Sequence, residues 1–372
     1  ELKLISLQES FSNIHFPKTN VELIKARFRL KFEELFFIQL QLLKRHSDNK
    51  LKIKGYEFNK VGEFFNVFYN NHLPFDLTND QKKVIKEIRK DLGSGSQMNR
   101  LLQGDVGSGK TIVALLSMLI ALDNNFQACF MAPTEILAYQ HYDNLKSLLK
   151  DMPIQVEILT GSTKTSNRKD IHEKLINGQI NIIVGTHALL SNDIDFNNLG
   201  LLIVDEEQHF GVAQKEKIKE LQGNIHVLTL TATPIPRTLQ LSLSGLKQLS
   251  LISTPPVDRL SIRTFVFEWD KVVLLDALNR EKNRGGQSFI VCPRIKDIDG
   301  LYEKVKKMAP NLSIKVAHGQ MKIDELDSSI NSFADGKSDV LISTNIIESG
   351  IDIPNANTMI IYKSDMFGLS QL

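Results

Sequence analysis

The segment Gly104-Asp-Val-Gly-Ser-Gly-Lys-Thr111 constrains this chain more than any other. It satisfies the pattern GxxxxGK[ST], follows the apolar run LLQ and precedes the helical run TIVALLSMLIAL. That strand, loop and helix context is what a phosphate-cradling loop requires. Glycines at Gly104, Gly107 and Gly109 let backbone N–H groups turn inward around phosphate oxygens at a helix N-terminus, where the helix dipole also favours anions. Lys110 is placed to reach the β and γ phosphates of a nucleotide, and the Thr111 hydroxyl to ligate Mg²⁺. The candidate nucleotide contacts are therefore Gly104, Asp105, Val106, Gly107, Ser108, Gly109, Lys110 and Thr111, with ATP and Mg²⁺ as the expected ligands.

Such a loop hydrolyses nothing alone. A metal-binding carboxylate and a group acting on the attacking water are also needed. The run GLLIV ends in Asp205-Glu206-Glu207-Gln208, which puts acids at the C-terminal end of a buried strand, where ligands gather in open parallel sheets. Asp205 suits the Mg²⁺ and Glu206 the water. A solvated acidic turn is the bland alternative, and the four apolar residues before it weigh against that reading. Further on, Thr231-Ala-Thr233 stands at the end of the strand-like run HVLTLT, where the two hydroxyls can bond the acidic cluster, although a plain turn with two prolines reads the same way.

The surroundings fit an α/β protein. Short apolar runs (NRLLQ, QACFMA, QVEILT, NIIVGT, GLLIVD, HVLTLT) alternate with helix-length segments from Asn99 onward, the signature of βαβ units on a parallel sheet. Thr254-Pro-Pro256 interrupts the rhythm. It resumes with IRTFVF, QSFIVC, LSIKVA, DVLIST and NTMIIY. Before residue 74 the stretch Arg27 to His46 reads as a helix, with Leu30, Leu35, Ile38 and Leu42 near helical spacing, able to bury one face. At 372 residues, 42% of them hydrophobic, the chain has material for two or three domains.

Charge decides little, because 45 basic against 43 acidic side chains leave a formal net charge of +2. Any nucleic-acid surface must come from local clusters such as Lys44, Arg45, Lys50, Lys52 and Lys54, which read equally as a solvated face. Cys129 and Cys292 sit in apolar runs and form no disulfide framework, as in a reducing compartment. The longest nearly uninterrupted apolar stretch, Val113 to Leu122, is only about half of the roughly 20 residues a membrane helix needs. No signal sequence is visible, and no histidine has zinc-ligand spacing. A cytoplasmic protein is expected, with no membrane partner.

The order of motifs resembles superfamily 2 helicases and translocases over essentially the whole chain. DLTNDQ, with Gln81, looks like the adenine-reading glutamine element; GDVGSGKT is motif I; APTEILAYQH (Ala132 to His141) is similar to motif Ia. LTGS (Leu159 to Ser162) and GTHALL (Gly185 to Leu190) resemble strand-tracking motifs. DEEQ is motif II, adding Gln208 to the catalytic set with Lys110, Asp205 and Glu206. TATPIPR is motif III, FIVCPR resembles motif IV, and STNIIESGIDIPNA (Ser343 to Ala356) resembles motif V, by which Gly350 and Asp352 would belong to an interdomain face sensing nucleotide.

Within the superfamily, IHFP, the helical stretch after it and LPFDLTNDQ look like the RecG family of branch-migration helicases. DEEQHFGVAQKEKIK, LTLTATPIPRTL and IIESGIDIPNANTMII look more like the transcription-repair coupling factors. RecG members usually read DEQHRFGV at motif II, from which Glu207, Gln208 and His209 depart. The long N-terminal connection favours RecG.

The resemblance implies tandem RecA-like P-loop domains: a mostly helical linker at 1–74, an ATP-binding domain at 75–254, and a second domain at 255–372. It also implies a wedge domain before residue 1 and an arginine-bearing motif VI after Leu372. The sequence thus reads as an internal part of a larger protein, with slow ATP turnover by itself. The expected activity is a monomeric DNA-dependent ATPase that remodels forks and branched DNA, with duplex or branched DNA as partner. Action on stalled RNA polymerase, or an inactive interaction module, are the alternatives.

Overall fold

The computed structural model describes residues 3–52, 54–191, 193–221, 223–233, 247–254, 262–344, 353 and 355–368. Two wholly parallel sheets dominate it, each wrapped by helices, as expected of tandem RecA-like domains. The first has seven strands: β1 Asn99–Gly104, β2 Gln127–Met131, β3 Val156–Leu159, β4 Ile182–Gly185, β5 Leu199–Asp205, β6 His226–Thr231 and β7 Gln248–Ile252. They lie in the order β3-β4-β2-β5-β6-β1-β7. The second sheet, β11-β8-β10-β9, is built from β8 Gln287–Val291, β9 Ile314–Ala317, β10 Val340–Ser343 and β11 Ala356–Ile361.

Burial explains the composition of these elements. Strands β2, β5 and β6 are buried at every residue, which is why they read as continuous apolar runs and not as alternating ones. The helix Lys110–Asp123 is apolar all round because Ile112 through Leu122 are all buried in the first core. By contrast the helix Asn79–Leu92 is one-sided, burying Val84, Ile85, Ile88 and Leu92 at helical spacing.

Register then sets the site. Asp205 pairs with Leu230, and Gln103 with Thr231, so the C-terminal ends of β5, β6 and β1 lie level along one edge. Met131 pairs with both Val204 and Gly185, and Gly185 with Leu159, which brings the ends of β2, β4 and β3 to the same edge. Strand order therefore splits that edge. The phosphate loop, the acidic cluster and Thr231 follow β1, β5 and β6, whereas the LTGS and GTHALL segments follow β3 and β4 on the far side of β2.

Three expectations need correction. IRTFVF is no strand: residues 262–267 belong to no sheet, and Phe265 and Val266 are 77% and 91% exposed. An apolar run has here been left outside a sheet. Strand β7, which the run-by-run reading missed, pairs with β1 at the sheet edge. Its mixed burial hides it from a search for apolar runs. Finally, the N-terminal region is helical, with Leu7–His15 and Asn20–Lys52, but the long helix does not bury its apolar stripe: Leu35, Phe36, Phe37 and Ile38 are all exposed. Among the described residues no helix is long and apolar enough to cross a membrane.

Candidate functional site

The loop between β1 and the helix Lys110–Asp123 has the backbone its glycines permit. Gly107 and Gly109 take φ of +77° and +82°, the left-handed region that residues with a Cβ rarely adopt. Gly109 is the helix N-cap and offers no side-chain cap, so the first amides of the helix are left to the loop. A Cβ on Gly109 would also strike the Gln81 amide.

Lys110 Nζ donates to the carbonyls of Gly104 at 2.8 Å and Asp105 at 3.0 Å, holding its ammonium inside the loop. Burial pushes its pKa down, and the charges of Asp205, Glu206 and Asp105 push it back up. The Ser108 hydroxyl is buried and finds no hydrogen-bond partner among the described residues. A loop with left-handed glycines at a helix N-terminus, a cation and an unpartnered hydroxyl fits a polyphosphate. Thr111 stands half-buried in the first helical turn. Among the described residues no three histidines, cysteines or acids gather to hold a metal. Mg²⁺ seldom needs such a cage, since it takes one or two carboxylates plus substrate phosphates. Thr111 and Asp205 suit it.

Gln81 serves the loop from behind. Its Oε1 accepts from Thr78 N at 2.8 Å in a capping box, and its Nε2 donates to the Ser108 carbonyl at 2.8 Å. Both ends of the amide are thus engaged by protein. In this structure the amide braces the phosphate loop.

The acids at the end of β5 are divided between different partners. Asp205 Oδ2 lies 2.9 Å from His141 Nε2, on the helix Glu135–Leu148. Glu206 is buried and takes a left-handed backbone, φ +44°, which is strained for a residue with a Cβ. Its carboxylate accepts from Thr231 Oγ1 at 3.1 Å and from Ala232 N at 2.8 Å. Gln208 donates to that carboxylate and also to Thr233 Oγ1 at 3.3 Å. The hydroxyls after β6 therefore do bond the acidic cluster. Glu207 turns elsewhere, its carboxylate held by Lys247 and by Thr229 Oγ1.

The LTGS and Ia segments are joined as well, since Ser162 donates to Glu135 through N at 3.0 Å and Oγ at 2.6 Å. Of the remaining candidates, Gly350, Asp352 and residues 234–237 of TATPIPR lie outside the described residues, as do the side chains of Arg45, Lys50 and Lys52. Lys44 and Lys54 are exposed. His141 was the partner that sequence reasoning missed, because 64 residues separate it from Asp205 and no spacing rule links them.

Comparison with known proteins places this geometry in a family. Residues 78–242 match the DEAD/DEAH box helicases and residues 270–372 the helicase conserved C-terminal domain. The chain belongs to the superfamily 2 helicases. It is 42% identical to the ATP-dependent DNA helicase RecG of Synechocystis sp. over 380 positions, covering 100% of this chain and 46% of that protein. It is 45% identical to the transcription-repair-coupling factor of Rickettsia bellii, covering 94% of this chain and 31% of that one. A solved structure of RecG bound to a three-way DNA junction superposes with a TM-score of 0.83 at 40% identity, covering all of this chain and 50% of that one. The chain thus spans about half the length of the RecG proteins it matches and about a third of the coupling factor.

Proposed function

We propose that this chain is the ATP-driven motor of a RecG-like DNA helicase or translocase that remodels stalled forks and branched DNA in recombination and repair. The observation that carries the reading is the superposition, over the whole chain, on a RecG protein bound to a three-way junction. In this reading Mg-ATP supplies the hydrolysable γ phosphate and the charge that screens it. Gly107 and Gly109 at the helix N-terminus would hold its phosphates with Lys110, while Thr111 and Asp205 would hold the metal. Glu206 orients and deprotonates the attacking water. Gln208, Thr231 and Thr233 tie that carboxylate to motif III, so a change at the γ phosphate is felt after β6. Gly350 and Asp352 complete the nucleotide face from the second domain by resemblance.

Duplex or branched DNA is the partner in this reading. The LTGS and GTHALL ends of β3 and β4 track it, and Glu135 keeps the first of these loops against motif Ia. The boundaries proposed are a helical linker at 1–74, the ATP-binding domain at 75–254 and the second RecA-like domain at 255–372. One observation favours a second reading: coupling factors match 94% of the chain at 45% identity, which fits a duplex translocase acting on stalled RNA polymerase.

Two assays separate these readings. ATP-dependent strand exchange on a labelled three-way junction is expected, and should vanish in Lys110→Ala. Loss of a charge-assisted contact worth about 1.5 to 3 kcal/mol weakens nucleotide binding by about 10- to 100-fold. Displacement of a stalled polymerase with no reaction on the junction would overturn the first reading in favour of the second. The same assay measures how much turnover the 372-residue chain supports by itself.

A further inference from the structure

Asp205 carries a contact that the phosphate-loop chemistry leaves unused. His141 lies in the second turn of the helix Glu135–Leu148, and its Nε2 meets Asp205 Oδ2 at 2.9 Å. Both side chains are largely withdrawn from solvent, at 14% and 12% exposure. The imidazole rests on the Phe130 ring, with centroids 4.4 Å apart. Phe130 is fully buried in β2 and pairs with Ile203, two residues before Asp205 on the neighbouring strand. The ring is thus held by its helix on one side and by the sheet that carries its partner on the other. A carboxylate only accepts, so Nε2 is the nitrogen that bears the hydrogen.

We propose that His141 is a positioning residue for the Asp205 carboxylate, fixing the orientation in which its other oxygen meets the nucleotide-bound Mg²⁺. The inference rests on the reading of Asp205 as the metal ligand. Mg²⁺ demands near-ideal octahedral geometry and here draws few ligands from protein, so the angle of one carboxylate decides much of the fit. The terminal torsion of an aspartate is soft. A hydrogen bond to one oxygen selects an orientation, as outer partners of metal ligands generally do. The three other groups of the site each have such a brace: Glu206 has Thr231, Lys110 has the loop carbonyls, and the phosphate loop has Gln81. His141 supplies the one for Asp205.

The test is a titration of the full chain with a fluorescent ribose-labelled ADP, across Mg²⁺ concentrations from none to saturating. His141→Leu keeps the apolar contact with Phe130 and removes the donor. It should raise the Mg²⁺ concentration at half-effect by about 10- to 100-fold, the usual cost of losing an outer partner of a metal ligand. Mg²⁺-free affinity should be unchanged, and His141→Gln, which restores an N–H donor at similar reach, should recover most of the loss. An unchanged Mg²⁺ midpoint in His141→Leu overturns the proposal. So does an equal fall in affinity with and without Mg²⁺, which would make His141 a packing residue. Should His141→Leu not fold, His141→Asn carries the same test, because its shorter amide stops short of Asp205. Wild-type affinity that ignores Mg²⁺ would instead remove the assignment of Asp205 itself, and the wild-type curve alone reveals that case.

Discussion

The two parallel sheets are alike where their strands begin and differ at the C-terminal edge. At the C-terminal edge of the first sheet Asp205 meets His141 and Glu206 meets Thr231 and the Ala232 amide, while at its base Gln127 donates to the carbonyls of Leu175 at 3.0 Å and Ile180 at 2.8 Å and Arg100 pairs with Asp91 at 2.6 Å. The second sheet has the same kind of base. Gln287, at the start of β8, donates to the carbonyls of Phe333 at 2.6 Å and Ser338 at 2.7 Å. Lys282 meets Asp339 at 3.1 Å just before β10, and buried Glu281 is held by Arg284 and Thr358. At the C-terminal edge of the second sheet, the Ser343 hydroxyl and His318 Nδ1 are buried and have no partner among the described residues. Both sheets are stapled at the base, and the first also carries the acidic cluster at its other end.

The largest effect that can break this comparison lies within the acidic cluster. Glu206→Gln keeps the shape of the side chain but cannot accept a proton, so turnover should fall by about 10²- to 10⁴-fold with nucleotide affinity preserved. Glu207→Gln should leave turnover close to wild type, because Lys247 and Thr229 already hold that carboxylate. Steady-state hydrolysis beside ADP titration measures both. Equal losses in the two variants would mean that the edge acts as one acidic patch with no division of labour.

A second substitution tests the stapled base. Glu281 is only 2% exposed and accepts from Arg284 Nε at 2.8 Å and from Thr358 Oγ1. Breaking a buried pair costs about 3 to 5 kcal/mol, and since Arg284 is half-exposed the loss in Glu281→Ala should be nearer about 2 kcal/mol. Denaturant unfolding reads the loss, while nucleotide affinity stays constant. A parallel fall in affinity would show that the base of the second sheet supports the nucleotide edge of the first.

The contrast also explains what could be read from the sequence. The phosphate loop and DEEQ were legible because their chemistry is contiguous, with loop, lysine and hydroxyl inside eight residues and the acids at the end of an unbroken apolar run. Strand β5 was legible for the same reason, being buried at every position. What failed was non-local. His141 meets Asp205 only through the pairing of β2 with β5. IRTFVF has the residues of a strand but pairs with none of the described residues, and β7 has a neighbour but an ambiguous pattern.

The smallest expected effect lies where the chain leaves the first sheet. Asp80 Oδ2 accepts from Ser253 N at 2.9 Å, Thr254 N at 3.0 Å and Thr254 Oγ1 at 3.2 Å, so one carboxylate ties the residues after β7 to the helix that carries Gln81. The backbone bonds from Ser253 and Thr254 hold its pKa below the ordinary 3.8. A carboxylate with a depressed folded-state pKa adds stability that is present above its unfolded value and fades as pH falls through the folded one. Wild type should therefore be more stable than Asp80→Asn at neutral pH, and that gap should close below about pH 4. Because Asp80 is partly solvated, the gap should be a small fraction of the Glu281 effect. Thermal midpoints of both proteins from pH 7 down to pH 3 measure it. Parallel curves would mean that the clamp adds nothing.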